Sequence, residues 1–243
     1  MRWFPYFFQC KNKSNLAERE NSTARGMNRL LIYTMLVSVG WAAPDLQQLS
    51  AEEFDQLPEV QSVIDYGNFD QSLMVAAIFH ETNRVRRQMG LRPFTHLPKL
   101  DKAADLKAAI GVMQGELSHR NPMPLTSTPA DRVRAVGLSY RQVAENIARL
   151  GILNLPAGVT QVGVRTRTGR DEYYQLDTKS TLEPRTYAGF AAAVVQAWMN
   201  SPTHRANIVN PGFQSLGCGA RVCRDLANRH EQIYAAQVFF TPR

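Results

Sequence analysis

The order of elements predicts an α+β chain that buries one sheet between helical layers. Three observations carry that expectation. Helical periodicity fills much of residues 71–115, strand-like alternation around turn signals occupies 151–187, and a second apolar helix is followed by two closing strands. With 243 residues, 44% of them hydrophobic, the chain can bury one sizeable core.

Each element has a local reason. Ser50-Ala51-Glu52-Glu53 has the form of a capping box, so a short peripheral helix opens a polar extension over 44–70. A helix is predicted from Gln71 to Met89, with Met74, Ile78, Val85 and Met89 on one stripe and Gly90 as its stop. The next runs from Leu100 to Gly115, offers Leu100, Ala103, Ala104, Leu106 and Ile110 to the core, and leads to His119. Gln142 to Leu150 reads as a third, shorter helical piece. Residues 159–168 and 173–176 flank Gly169 and predict an irregular hairpin, inserted over about 151–187. Phe190 to Met199 is an apolar helix with Trp198 on its inner face. Ser201 then fits an N-cap and Pro202 the first position of another helix, which puts His204 in its first turn. Ser215–Val222 and Gln232–Phe240 alternate as half-buried strands.

The N-terminus follows a different logic. Arg29, the apolar run Leu30–Val39 and the small residues Gly40-Trp41-Ala42-Ala43 follow the order of a signal peptide. Leu30 to Ala43 is 14 residues, short of the roughly 20 that span a bilayer. The alternative is a buried helix or an uncleaved anchor. Residues 1–26 sit awkwardly before a signal, and Met27 makes a more ordinary start, so residues 1–43 are set apart from the fold. The expected location is secreted or periplasmic, with no transmembrane span in the mature chain.

Charge narrows the partners. The formal +7 falls to +3 once the six Lys or Arg and two Asp or Glu of residues 1–43 are removed. No basic cluster interleaves with aromatics, so nucleic acid is excluded as a partner. Arg132, Arg134, Arg141 and Arg149 are assigned to solvated faces, with attraction to anionic cell-wall polymers or lipid headgroups as the alternative. Cys10 falls in the excluded segment. Cys218 and Cys223 are then either a disulfide in an oxidising compartment or two thiols, and a bridge needs a bend because strand positions five apart face opposite sides.

Catalytic motifs are sparse. There is no Gly-x-Ser-x-Gly elbow, and His80-Glu81 is not followed by the second histidine of a zinc-protease helix. Taken alone, His204 is a polar cap or a neutral imidazole ligand. His119, before Asn121-Pro122, is a ligand or a partner of terminal carbonyls, and Glu145, among apolar neighbours, is a site acid or a buried acid bonded to backbone. Glu116 is a weaker candidate on the face of His119. His80, His96 and His230 are assigned to surface or capping positions.

The segment Trp198-Met199-Asn200-Ser201-Pro202-Thr203-His204-Arg205 resembles the signature of the CAP superfamily, in its compact bacterial form. That superfamily takes in cysteine-rich secretory proteins, antigen 5 and pathogenesis-related class 1 proteins. Glu81–Arg86, Gly90–Phe94, Leu117–His119, Val143–Ala148, Phe213–Gly219 and Tyr234–Phe239 fall in the matching order, so the resemblance covers roughly residues 72–243. It implies a three-layer α-β-α sandwich of the CAP/SCP type over residues 71–243. It also implies a cleft that gathers His119, Glu145 and His204, a set able to hold a divalent cation such as zinc or magnesium. Ser201 stands where the family's second acid normally lies, and no Asp or Glu occurs from Pro184 to Arg224, so that set is reduced to three. The implied function is a non-catalytic binding module for a lipid, sterol or cell-wall glycan. The alternative is a metal-dependent, peptidase-like hydrolase using the same three residues.

Overall fold

A computed structural model describes residues 45–159, 161–168, 170–225 and 230–243; the segment expected to be a signal peptide, Met27 and Cys10 lie outside them. Six α-helices and seven strands occur among the described residues. The helices are α1 Ala51–Asp55, α2 Gln71–Gln88, α3 Pro98–Gln114, α4 Pro129–Ala135, α5 Tyr187–Asn200 and α6 Pro202–Val209. The strands are β1 Thr95–His96, β2 Tyr140–Gly151, β3 Val162–Arg167, β4 Arg170–Gln175, β5 Thr181–Leu182, β6 Ser215–Asp225 and β7 His230–Pro242.

The main sheet has the order β1-β6-β7-β2, with β6, β7 and β2 antiparallel, so β2 is an edge strand. Alternation along the strands assigns its two faces. Leu216, Cys218 and Ala220 of β6, with Ile233, Ala235 and Phe239 of β7, join a core cluster that holds Met74 and Ile78 of α2 and Val194 and Trp198 of α5. The intervening Ala236, Val238 and Phe240 pack with Leu100, Ala103 and Ala104 of α3. Helices therefore cover both faces of one sheet, which is the three-layer α-β-α arrangement. The α3 layer sits very close. A Cβ on Gly217 would lie 2.3 Å from the Leu100 backbone and one on Gly219 2.4 Å from that of Ala104, so only glycine admits the helix there.

Local signals set several ends. Ser50 and Glu53 form the capping box of α1. Gly90 at φ +70° and Gly115 at φ +68° follow α2 and α3 in the left-handed conformation. The 45–70 extension is more than peripheral, since Phe54, Val60 and Ile64 are buried in the α2/α5 cluster. The predicted hairpin is β3–β4, extended by β5 into a separate three-stranded sheet. Tyr173 of β4 hydrogen-bonds to Glu231 of β7, and Arg224 of β6 pairs with Asp171 and Glu231, tying that small sheet to the large one.

Several expectations are corrected. Gln142–Leu150 is strand, not helix. Its apolar residues fall on both faces because both faces are covered, which blurs the two-residue period. Helix α3 ends at Gln114, so His119 belongs to the loop that follows. Met89 is exposed, and Leu106 is only half-buried. Pro202 does open α6, but Ser201 makes no side-chain cap. No disulfide joins Cys218 and Cys223: Cys218 lies in the α2/α5 cluster and Cys223 packs with Ala108 and Tyr234 on the α3 face. Regular strand geometry leaves them pointing apart, and β6 has no bend to bring them together.

Candidate functional site

Glu145 and Asn146 are neighbours on β2, so their side chains leave the strand on opposite faces. On the α3 face, Glu145 has a side chain 1% exposed and both oxygens engaged. Its Oε1 lies 2.9 Å from His119 Nδ1, and its Oε2 accepts from the Arg132 guanidinium at 2.6 Å. Arg132, on α4, is fully buried and also donates to the carbonyls of Thr126 at 2.8 Å and His119 at 3.3 Å. Arg132 and Glu145 together therefore hold the loop that carries His119.

On the other face, Asn146 Nδ2 donates to the His204 carbonyl and to Gln237 Oε1, each at 3.1 Å, while Asn146 Oδ1 accepts from Asn207 at 2.8 Å. Gln237 in turn donates to Thr82 Oγ1 at 2.6 Å, and Thr82 donates to the Ile78 carbonyl. A buried amide chain thus runs from α2 through β7 and β2 to α6 and fixes the corner that bears His204. Trp198 packs in the core just before that corner.

The two histidines meet across one cleft. Its volume is about 510 Å³ and its lining includes Leu117, Ser118, His119, Arg120, Ile147 and His204. His119 keeps 48% of its side chain exposed. Burial pushes the His204 pKa below the ordinary histidine value, and the charge of His119 adds to that. A second hollow of about 570 Å³ lies further along β2, lined by Tyr140 to Ala144 with Asn210 and Phe213.

All three predicted residues thus converge, but not as three metal donors. Glu145 already serves a buried guanidinium and an imidazole, so its oxygens are not open to a cation. Two imidazoles fall short of the three protein donors of an ordinary catalytic zinc site. Among the described residues, no group of three His, Cys, Asp or Glu side chains is placed to hold a metal ion. The donor set does not fit the cation that the resemblance implies, and Glu145 instead orients His119 from behind.

Other assignments change as well. His80 is buried, stacked on Phe54 at 4.2 Å, with Nε2 2.8 Å from the Leu46 carbonyl. His96 lies 2.6 Å from Asp101, and His230 is buried. Glu116 is exposed and is not among the residues that line the cleft. Arg132, assigned to a solvated face, is instead fully buried against Glu145. Its one available signal was position, since Val133 and Val136 mark a buried side of α4, but nothing in that pattern pairs it with Glu145.

Comparison with known sequences decides the family. The profile described as the Cysteine-rich secretory protein family, CAP, matches residues 79–240. The chain belongs to this family. A related sequence is the uncharacterized protein YkwD of Bacillus subtilis, 28% identical over 138 residues that make up 57% of this chain and 38% of that protein. The chain therefore spans well under half the length of that relative. Among solved structures, an extracellular SCP-domain protein of Bacillus anthracis is 20% identical, with TM-score 0.46 over 70% of this chain and 41% of its own. An outer surface protein of Borrelia burgdorferi is 16% identical, with TM-score 0.45 over 70% of this chain and 93% of its own. Within the CAP domain, His119, Glu145 and His204 all fall in the matched region.

Proposed function

We propose that this CAP protein is an exported, non-catalytic binding module, secreted or periplasmic, whose His119–His204 cleft engages a lipid, sterol or cell-wall glycan. One observation carries the reading: both oxygens of Glu145 are held, by Arg132 and His119, so the acid of the site supports the wall of the cleft rather than reacting. A general base needs an acceptor within reach of the substrate proton, and this carboxylate is 1% exposed behind the histidine. Leu117 and Ile147 add apolar surface beside the imidazoles, the mixture that ligand clefts use. Export rests on the charged flank, apolar run and small residues at 29–43. No helix among the described residues is long and apolar enough to cross a membrane.

The test is an inventory of lipid, glycan and metal on protein purified from the medium of an exporting host, with a peptide-hydrolysis assay on the same sample. A stoichiometric ligand without turnover, lost in His119→Ala and His204→Ala, is the expected result. Bound zinc with peptide hydrolysis that disappears in His119→Ala overturns it in favour of a hydrolase.

A further inference from the structure

The charges around the cleft suit an anion better than a cation. Behind His119 lies one buried carboxylate, Glu145, with the fully buried guanidinium of Arg132 bonded to it. Lys107 of α3 joins them: it is 2% exposed, and its Nζ has no hydrogen-bond partner. Burial pushes its pKa below the ordinary lysine value, and it lies close enough to feel the charges of both Glu145 and Arg132. With Lys107 charged, the cluster holds two cations against one anion. Buried charge without a partner is unfavourable, and a counter-charge brought up to it relieves that directly. At the mouth, Arg120 adds an exposed guanidinium to the lining, and no Asp or Glu is among the described residues that line the cleft. His204 sits in the first turn of α6, whose positive dipole end also favours negative charge.

We propose that the His119–His204 cleft is an anion site, which takes the phosphate or carboxylate of its ligand against Arg120. The two imidazoles flank that group, and the Lys107–Arg132 pair provides the field behind it. This rests on the reading of the cleft as the ligand site and adds the chemical class of the ligand. Leu117 and Ile147 then meet the carbon skeleton next to the anionic group.

Inorganic phosphate is the first probe, with the His119 and His204 ring signals followed by NMR on the folded protein. Phosphate shifts both signals and saturates. Arg120→Ala lowers its affinity about tenfold, the loss of one charge-assisted contact. Lys107→Met keeps the volume, removes a buried charge and leaves the fold intact, yet it lowers affinity about threefold through the field alone. Arg134→Ala, on the exposed side of α4, leaves affinity unchanged. Phosphatidylglycerol vesicles that bind more tightly than free phosphate assign the anion to a lipid headgroup, and equal affinity assigns it to a soluble phosphate. Phosphate that moves neither signal overturns the anion site. Phosphatidylcholine vesicles or a neutral glycan that still shift both signals then leave the cleft a binding site of another class. Phosphate binding indifferent to both Arg120→Ala and Lys107→Met also overturns the proposal.

Discussion

The two faces of β2 hold the two sides of the cleft by different chemistry. On the α3 face an ionic cluster, Arg132 and Glu145 with Lys107 close by, anchors His119 through its ring and its carbonyl. On the α2 face a neutral amide chain through Gln237 and Asn146 anchors His204 through its backbone alone. The difference shows what each wall can do. A ring held by a carboxylate has its orientation set but sits on an exposed loop. A ring whose backbone is fixed keeps its side chain free to meet a ligand. Adjacent residues on one edge strand therefore supply a positioned imidazole and an uncommitted one, with no element crossing the sheet.

The strongest way to break the comparison is Arg132→Met. It strands the Glu145 carboxylate in the interior and removes the donors to Thr126 and His119, so it should cost about 3–5 kcal/mol. The thermal midpoint should fall accordingly, and amides over 115–128 should exchange faster. Adding Glu145→Gln to Arg132→Met should recover part of the loss, because the stranded charge is gone. A single Arg132→Met variant as stable as wild type would mean that the ionic cluster does not hold this wall.

The neutral face should respond less. Asn146→Ala leaves the His204 carbonyl and the Gln237 and Asn207 amides short of partners, and about 2–3 kcal/mol is expected. Its exchange signature should be confined to α6 and the 200–210 corner, with the His119 loop unchanged. Protection lost equally on both sides of the cleft would show that the two anchors are one cooperative unit.

Much of this was legible in the sequence, for identifiable reasons. The Ser-Pro corner before His204 is written in strictly local chemistry, a helix end followed by proline at a first position, and the structure keeps it. Gly90 and the Ser50 capping box are local in the same way. The strand at β2 was misread because burial on both faces removes the polar alternation that marks a one-sided strand, and Val143, Ala144, Ile147 and Ala148 then imitate a helical stripe. Arg132 was unreadable for a different reason. A long cation is ordinarily solvated, and only a carboxylate thirteen residues away, brought up by the packing of α4 on β2, makes its burial tolerable. The site residues were recognisable one by one, but not their division of labour, since Glu145 as a support instead of a ligand follows only from which atoms its oxygens meet.

The smallest effect should appear in the pH dependence of stability, to which two histidines away from the cleft contribute in opposite senses. His80 of α2 is pushed below the ordinary histidine value of 6.5, mainly by burial. Its contribution to stability is complete above about pH 6.5 and is lost as pH falls through the lowered pKa, because the unfolded chain takes up the proton first. His96 of β1 behaves in the opposite sense. Burial opposes its protonation, but the hydrogen bond and charge of Asp101, with help from Asp45, raise its pKa above 6.5. That contribution is complete below about pH 6.5 and fades as pH rises through the raised value. The two terms act in different windows, so the thermal midpoint of wild type should peak near pH 6.5 and fall away on both the acid and the alkaline side. His96→Gln should remove the loss on the alkaline side and leave the acid-side loss in place, since only the His80 term remains; His80→Gln should do the reverse. Parallel profiles for the two variants would show that the Asp101 pair is no stronger in the folded protein than in the unfolded chain.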